Sequence, residues 1–368
     1  MKVFILTTIP AQYRTDLFNV LGQYCDLHVC FEKKSASERN DNWYKSNAIN
    51  FKIHTLNNWD KPSYIPRLDV NKLVDDISPD ICIAYEYSTP TAMLFMKHCI
   101  HRNIKYVINC DGAFITRSFI KDKLKTYFIS HAASCFANGV YAKNYFLHYG
   151  AKQQNIYFHN FSTLYKKDIF KNIITETEKT NLKSTLGFSD KKTIISIGQF
   201  IYRKGFDVLL KAFNSMDSNY NLVIIGGGEK HSNYIEYIKS NNLENVTLLD
   251  FMTFDKLIRY LRASDLFVLP TREDIWGLVI NEAMACGLPI VTTNKCIAGL
   301  ELIENGKNGF IVDTDSPFQL AYAINEILSD DVLCEQMGKN NLAKISPYTI
   351  ENSAQNHFNN LQKILRSL

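Results

Sequence analysis

Short apolar runs alternate with longer stretches of helical apolar spacing from one end of the chain to the other. In the first half, the runs at 3–7, 27–31, 51–56, 81–84, 105–109, 134–137 and 155–158 read as strands. Apolar residues recur at helical spacing between most of them, as at 16–24, 90–102, 119–131 and 141–149. The alternation restarts with strands at 193–197, 222–225, 246–249, 266–269, 290–293 and 310–312. Such a rhythm belongs to parallel sheets wrapped by helices. It lapses at 166–183, which is polar and mixed in charge, with no sustained apolar period before Leu182 and Leu186. The expected fold is therefore α/β, with two doubly wound Rossmann-like domains facing a cleft and ligands at the carboxyl ends of the strands. The boundaries read as a first domain at 1–165, a linker at 166–187, a second domain at 188–346 and a closing helix at 347–368. That last segment carries Ile350, Ala354, Phe358, Leu361 and Leu365 at helical spacing.

Length supports the division, since 368 residues exceed the size at which single cores split. Hydrophobic residues at 46% and charged residues at 21% describe an ordinary globular chain. A formal charge of +4 is too mild to point to nucleic acid. It suits anionic lipid or a diphosphate ligand without requiring either. The nine cysteines are scattered, with no Cys-x-x-Cys pair, which argues for reduced thiols and against a zinc site or disulfide framework. Residues 2–9 are too short for a signal segment and read as the first strand. No apolar run approaches the length of a membrane span. The expected location is cytoplasmic, with no metal and no cofactor.

The most informative segment is Pro270-Thr-Arg-Glu-Asp-Ile-Trp-Gly-Leu-Val-Ile-Asn-Glu-Ala-Met-Ala-Cys-Gly-Leu-Pro289. A strand runs into a short acidic loop, and a helix begins near Gly277. Gly287 and Pro289 stop that helix and release the next strand. This arrangement aims backbone N–H groups and the positive end of a helix dipole at one spot, a seat for phosphate. Asp274 and Glu282 stand beside it with seven residues between them, able to grip hydroxyls. An anion seat next to hydroxyl acceptors suits a nucleotide sugar.

A second basic motif opens the second domain: Ile197-Gly-Gln-Phe-Ile-Tyr-Arg-Lys-Gly-Phe-Asp-Val-Leu-Leu-Lys-Ala-Phe213. Gly198 ends a strand and Gly205 opens an amphipathic helix, so Arg203 and Lys204 fall on a βα loop where a diphosphate would lie. Cations there neutralise charge on a leaving group. Gly226-Gly-Gly228 follows the next strand and provides backbone room, with Gly227 also a candidate ligand contact.

The 270–289 segment resembles that of the retaining glycosyltransferases of family 4, the group 1 transferases, usually written Glu, seven residues, Glu. Asp274 takes the place of the first acid, one methylene shorter. Glu273 would put eight residues in the gap. Trp-Gly-Leu-Val, Asn-Glu-Ala-Met-Ala and Gly-Leu-Pro also fit. The resemblance implies the two-Rossmann GT-B fold, with the final helix crossing back to the first domain. It implies that Glu282 binds the ribose hydroxyls and Asp274 hydroxyls of the transferred sugar. The main-chain groups of Trp276, Gly277 and Leu278 would join Lys204 on the diphosphate. The family's Arg position holds Gln199, so the site loses one cation unless Arg203 compensates. The strand exit at 249–253, which includes Phe251, would hold the base through main-chain groups. Catalysis in the family is explained by attack on the face from which the leaving group departs, without an enzymatic nucleophile.

Acceptor recognition falls to the first domain. Tyr13 and Arg14 open its first helix, and Arg14 reads either as a ligand for acceptor phosphate or as a plain surface Arg. Asp111, in Asn109-Cys-Asp-Gly112, stands where many members carry a His near the transferred sugar. Glu86 occupies a similar strand-end position. Residues 117–129 mix lysines with aromatics, as in a peripheral membrane helix or an ordinary amphipathic helix with a solvated Lys face. The expected partners are a nucleotide-sugar donor, with UDP favoured, and a glycan or lipid-linked glycan acceptor. The rival readings are a sugar-nucleotide epimerase of the same fold and a non-catalytic nucleotide-sugar-binding relative.

Overall fold

A computed structural model describes residues 1–33, 48–57, 64–115, 118–216 and 219–367. They form two compact units, one of Met1–Thr163 with Tyr348–Leu368, the other of Leu164–Pro347. Among the described residues, all thirteen expected strands are present, each within two residues of its expected ends.

The first unit runs β1 (Lys2–Thr7), α1 (Gln12–Leu21), β2 (Asp26–Phe31), β3 (Lys52–Thr55), α2 (Asp69–Ile77), β4 (Ile81–Ala84), α3 (Pro90–His101), β5 (Tyr106–Cys110), α4 (Phe119–His131), β6 (Ser134–Ala137), α5 (Val140–His148) and β7 (Ile156–Phe158). The strands pair in parallel in the order β3-β2-β1-β4-β5-β6-β7. Helices cover both faces, which is why β4 and β5 are buried at every position and read as unbroken apolar runs. Helix α3 starts where Thr89 caps it and Pro90 pre-sets the first turn. The chain order reverses between β1 and β4, so the exits of these strands, with that of β5 beside them, flank a switch point.

The second unit runs α6 (Glu176–Leu186), β8 (Lys192–Gln199), α7 (Phe206–Asn214), β9 (Tyr220–Gly227), α8 (His231–Ser240), β10 (Val246–Asp250), α9 (Phe254–Arg262), β11 (Leu266–Leu269), α10 (Leu278–Ala285), β12 (Ile290–Thr293), α11 (Ile297–Leu302), β13 (Gly309–Val312), α12 (Pro317–Leu328) and α13 (Asp331–Ile345). Its parallel sheet has the order β10-β9-β8-β11-β12-β13, with the switch point between β8 and β11. Both signature loops identified from sequence lie at that point.

Residues 166–187, expected as a linker, contain helix α6. Its polar sequence lacks an apolar face because other forces hold it. Thr175 and Glu178 form a capping box, Gly187 closes the helix in a left-handed conformation, and Lys179 and Lys183 both reach Asp265 at 2.8 and 3.0 Å. Asp265 immediately precedes β11, so these ion pairs tie α6 to the sheet.

The chain ends in α14 (Ile350–Arg366), which belongs to the first unit and packs on α1. Tyr24 stacks on Phe358 at 5.5 Å, and Lys105 Nζ donates to Ile364 O at 2.8 Å.

Candidate functional site

In the second unit, β8 leads through a single 3-10 turn, Tyr202–Lys204, into α7. Gly205 makes that entry possible: its φ is +68°, and a Cβ would lie 2.1 Å from the carbonyl oxygen of Pro270. The β8–α7 and β11–α10 loops are thereby in backbone contact. The Arg203 carbonyl accepts from Arg272 N at 2.8 Å and from Thr271 Oγ1 at 2.9 Å.

Across this contact, Lys204 Nζ donates to Asp274 Oδ2 at 2.5 Å, with both side chains largely out of solvent. Arg203 Nη1 donates to Glu273 O at 2.7 Å and lies 3.8 Å from Asp274 Oδ1. Two cations thus converge on one carboxylate. Sequence reasoning gave Lys204 and Asp274 separate tasks, whereas the structure makes them a charge-assisted pair. An ammonium has three protons, so one bond to Asp274 leaves two for a further acceptor.

Helix α10 begins next to this pair. Gly277 is its N-cap at φ +94°, where a Cβ would sit 2.9 Å from Cys296 Sγ. Its first turn is built from Leu278 onward. Glu282 lies one turn in, half-buried. The Trp276 side chain is buried, and its Nε1 donates to Asn281 Oδ1 at 3.1 Å. It therefore braces the helix, and its main chain is engaged as well: its N–H faces Asp274 Oδ1 at 3.5 Å, and its carbonyl accepts from Ala298 N at 2.8 Å and from Cys296 Sγ at 3.2 Å.

The glycines divide by role. Gly226 is required by packing, because a Cβ there would lie 1.8 Å from Gly198 O. Gly227 faces open space and pairs in register with the exposed Gln199. Phe251, just past β10, is 41% exposed.

Arg272 was not anticipated. It forks onto both carboxylate oxygens of Asp207 at 2.8 Å, reaches Asp315 Oδ1 and Tyr202 O at 2.7 Å, and stacks on the Tyr202 ring at 3.9 Å. Burial alone would raise the Asp207 carboxyl, but the Arg272 bonds and charge outweigh it and hold it below its ordinary value. No sequence signal links these residues, since Asp207 is 65 positions from Arg272.

In the first unit, Arg14 is buried and paired with Asp111. It is not a surface residue. Its guanidinium lies 4.2 Å from the Tyr85 ring centroid, 5.1 Å from that of Tyr13 and 5.7 Å from that of Phe161. This aromatic cage explains why a cation is retained inside. Asn109 Nδ2 donates to Asp111 Oδ1 at 3.1 Å, and Asn138 Nδ2 donates to the Asp111 carbonyl. Burial pushes the Asp111 carboxyl up, opposed by the Arg14 charge. Tyr85 OH donates to His357 Nε2 at 2.9 Å, and His357 Nδ1 in turn donates to Ser353 O at 2.7 Å. Helix α14 thus reaches the Arg14–Asp111 centre through a chain of contacts. Glu86 Oε1 accepts from the Tyr87 and Ser88 main-chain N–H groups and from Ser88 Oγ, shaping its own turn.

Within 117–129, Arg117 lies outside the described residues. On α4, Phe119 and Ile120 are 76% and 72% exposed, and Leu124 and Tyr127 are also exposed on a face shared with Ile120. Among the described residues, no helix is long and apolar enough to cross a membrane.

These features define a protein of two doubly wound parallel-sheet units, one carrying basic and acidic loops at its switch point. Residues 178–344 match the model of the family "Glycosyl transferases group 1". Over that domain the chain is similar to the group 1, or family 4, glycosyltransferases. An uncharacterised glycosyltransferase of Methanocaldococcus jannaschii is 31% identical over 145 residues, covering 39% of this chain and 40% of the relative. Another, from Haemophilus influenzae, is 32% identical over 186 residues, covering 49% and 52%. The chain spans about half the length of the curated relatives it matches. The crystal structure of Anabaena HepE in complex with UDP shares the fold, with a TM-score of 0.81 at 18% identity over 99% of this chain and 100% of that one.

Proposed function

We propose that the chain is a retaining glycosyltransferase that moves a hexose from a UDP-sugar to a glycan or lipid-linked glycan in surface polysaccharide assembly. The observation that carries the reading is the Lys204–Asp274 pair beside the N-terminus of α10, at the switch point of the family-matched domain. The diphosphate accepts hydrogen bonds from Lys204 and from the main chain at Gly277 and Leu278, with Arg203 supplying the charge that Gln199 does not. Glu282 takes the ribose hydroxyls, and Asp274 takes hydroxyls of the transferred sugar while orienting Lys204. Phe251 and Gly227 border the nucleoside. UDP is favoured because HepE, of the same fold, binds it.

On the acceptor side, Asp111 is the working carboxylate, with Tyr13 and Glu86 at its margins. Arg14 serves as its strut. The acceptor oxygen bonds to the anomeric carbon as the bond from that carbon to the diphosphate breaks, and the hydroxyl proton passes to the departing diphosphate. The exposed apolar face of α4 with Lys121, Lys123 and Lys125 suits peripheral contact with an anionic membrane bearing a lipid-linked acceptor.

The test is turnover: UDP-sugars are incubated with lipid-linked and soluble glycans, and UDP release and product configuration are followed by NMR. The expected product keeps the donor's anomeric configuration. Interconversion of the nucleotide sugar without acceptor would favour the epimerase, and binding without turnover the non-catalytic relative. A gene deletion that leaves lipid-linked and surface glycans unchanged would remove the polysaccharide role.

A further inference from the structure

Four N–H bonds of the Arg272 guanidinium, one from Nε, two from Nη1 and one from Nη2, go to Asp315, Tyr202 O and the two oxygens of Asp207. A guanidinium has five N–H groups in all. Arg272 is thus consumed by protein partners and is no ligand for phosphate itself. Those partners share a location. Tyr202 opens the turn that ends in Lys204, Asp207 lies in the first turn of α7 behind it, and the main chain of Arg272 holds Arg203. The turn is gripped from its carbonyl, its ring and its following helix by one side chain.

We infer that Arg272 is a positioning residue that fixes the Tyr202–Lys204 turn and so aims Lys204 at the donor diphosphate. The inference rests on the donor-site reading above. Lysine has a mobile stem with many rotamers, and a bond to phosphate is stronger when the backbone beneath it is already fixed. A planar fork can hold that backbone in one orientation where a point charge cannot.

The experiment is calorimetric titration of UDP into the wild type, Arg272→Ala, Arg272→Lys, Lys204→Ala and the Arg272→Ala/Lys204→Ala double variant. All titrations are made well below the melting temperature, which is measured separately. Arg272→Ala is expected to weaken UDP by about tenfold or more. Arg272→Lys, which keeps the charge and folds more readily, is expected to weaken it by at least about threefold. If Arg272 acts through Lys204, the double variant binds no worse than Lys204→Ala within about twofold. Losses that multiply, or a lysine variant that binds UDP like the wild type, would overturn the inference and leave the donor site standing. A wild type that binds none of UDP, GDP and ADP would overturn both.

Discussion

Lys204 Nζ stands 2.5 Å from Asp274 Oδ2, although the two residues come from different loops 70 positions apart. The pair joins the two strand exits on either side of a switch point, and Gly205 is the hinge that lets them meet. In the proposed donor site, the pair would couple charge neutralisation on the diphosphate to recognition of the sugar, since any movement of Lys204 is felt by Asp274.

Removing Lys204 therefore acts twice. Lys204→Ala takes a preorganised donor from the diphosphate, a loss of about 2–4 kcal/mol in transition-state stabilisation. It also leaves the Asp274 carboxylate with the looser Arg203 contact at 3.8 Å and the Trp276 N–H at 3.5 Å. Steady-state kinetics should show kcat/KM falling by about two orders of magnitude or more. Asp274→Asn should restore part of the stability of Lys204→Ala, because it removes the buried charge that Lys204 compensated. Guanidinium unfolding of the single and double variants measures that coupling.

The glycines provide a separation of folding from binding. Gly227→Ala meets nothing within 4 Å, so its melting temperature should match the wild type while its donor affinity falls. Gly205→Ala, at φ +68° and 2.1 Å from a carbonyl oxygen, should lower the melting temperature markedly. Equal affinity of Gly227→Ala and wild type for nucleotide would remove Gly227 from the donor site.

Much of this was legible before the fold was known, and the reasons differ by residue. Strands such as β4 and β11 are buried on both faces, so their sequences are simple apolar runs bounded by turn residues. Lys204 stands in a local motif after β8, and Asp274 and Glu282 in one after β11, so their spacing already places them at two strand exits. Helix α6 was missed because lysine pairs with Asp265 replace an apolar stripe; the Thr175-Glu-Thr-Glu178 capping box was the available signal. The burial of Arg14, which sequence left open between a phosphate ligand and a surface Arg, was not legible because, apart from Tyr13, its partners Tyr85, Asp111 and Phe161 are distant in sequence. Arg272 was hidden for the same reason, as its partners converge only through tertiary structure.

Acid should weaken the first unit. Burial, with the Arg14 charge adding, pushes His357 down from 6.5 to about 4, and pushes His159 well below its ordinary value. A histidine that binds protons less readily when folded contributes stability that is full above its unfolded pKa. That stability is lost as the pH falls from 6.5 towards 4. The slope is about 1.4 kcal/mol per pH unit for each such group. Asp111, shifted upward by burial, works in the opposite sense above 3.8. Urea unfolding between pH 4 and 7 should show His357→Gln with a slope shallower by about one proton. An unchanged slope would contradict the assignment.

The exposed face of α4 offers a direct test of lipid contact. Ile120→Asp with Leu124→Asp should abolish sedimentation with vesicles containing anionic phosphatidylglycerol, and should leave UDP affinity unaltered. Sedimentation that persists would assign the face to another partner.

The most direct measurement is thermal unfolding of the wild type, Lys204→Ala and Glu282→Ala with UDP, GDP, ADP, their sugar conjugates and NAD. A ligand at about a hundred times Kd adds about 2.7 kcal/mol, a rise of several degrees for units of this size. The account predicts that rise for the UDP series in the wild type and its loss in both variants. A wild type unmoved by every nucleotide, or variants that respond as strongly as the wild type, would contradict it.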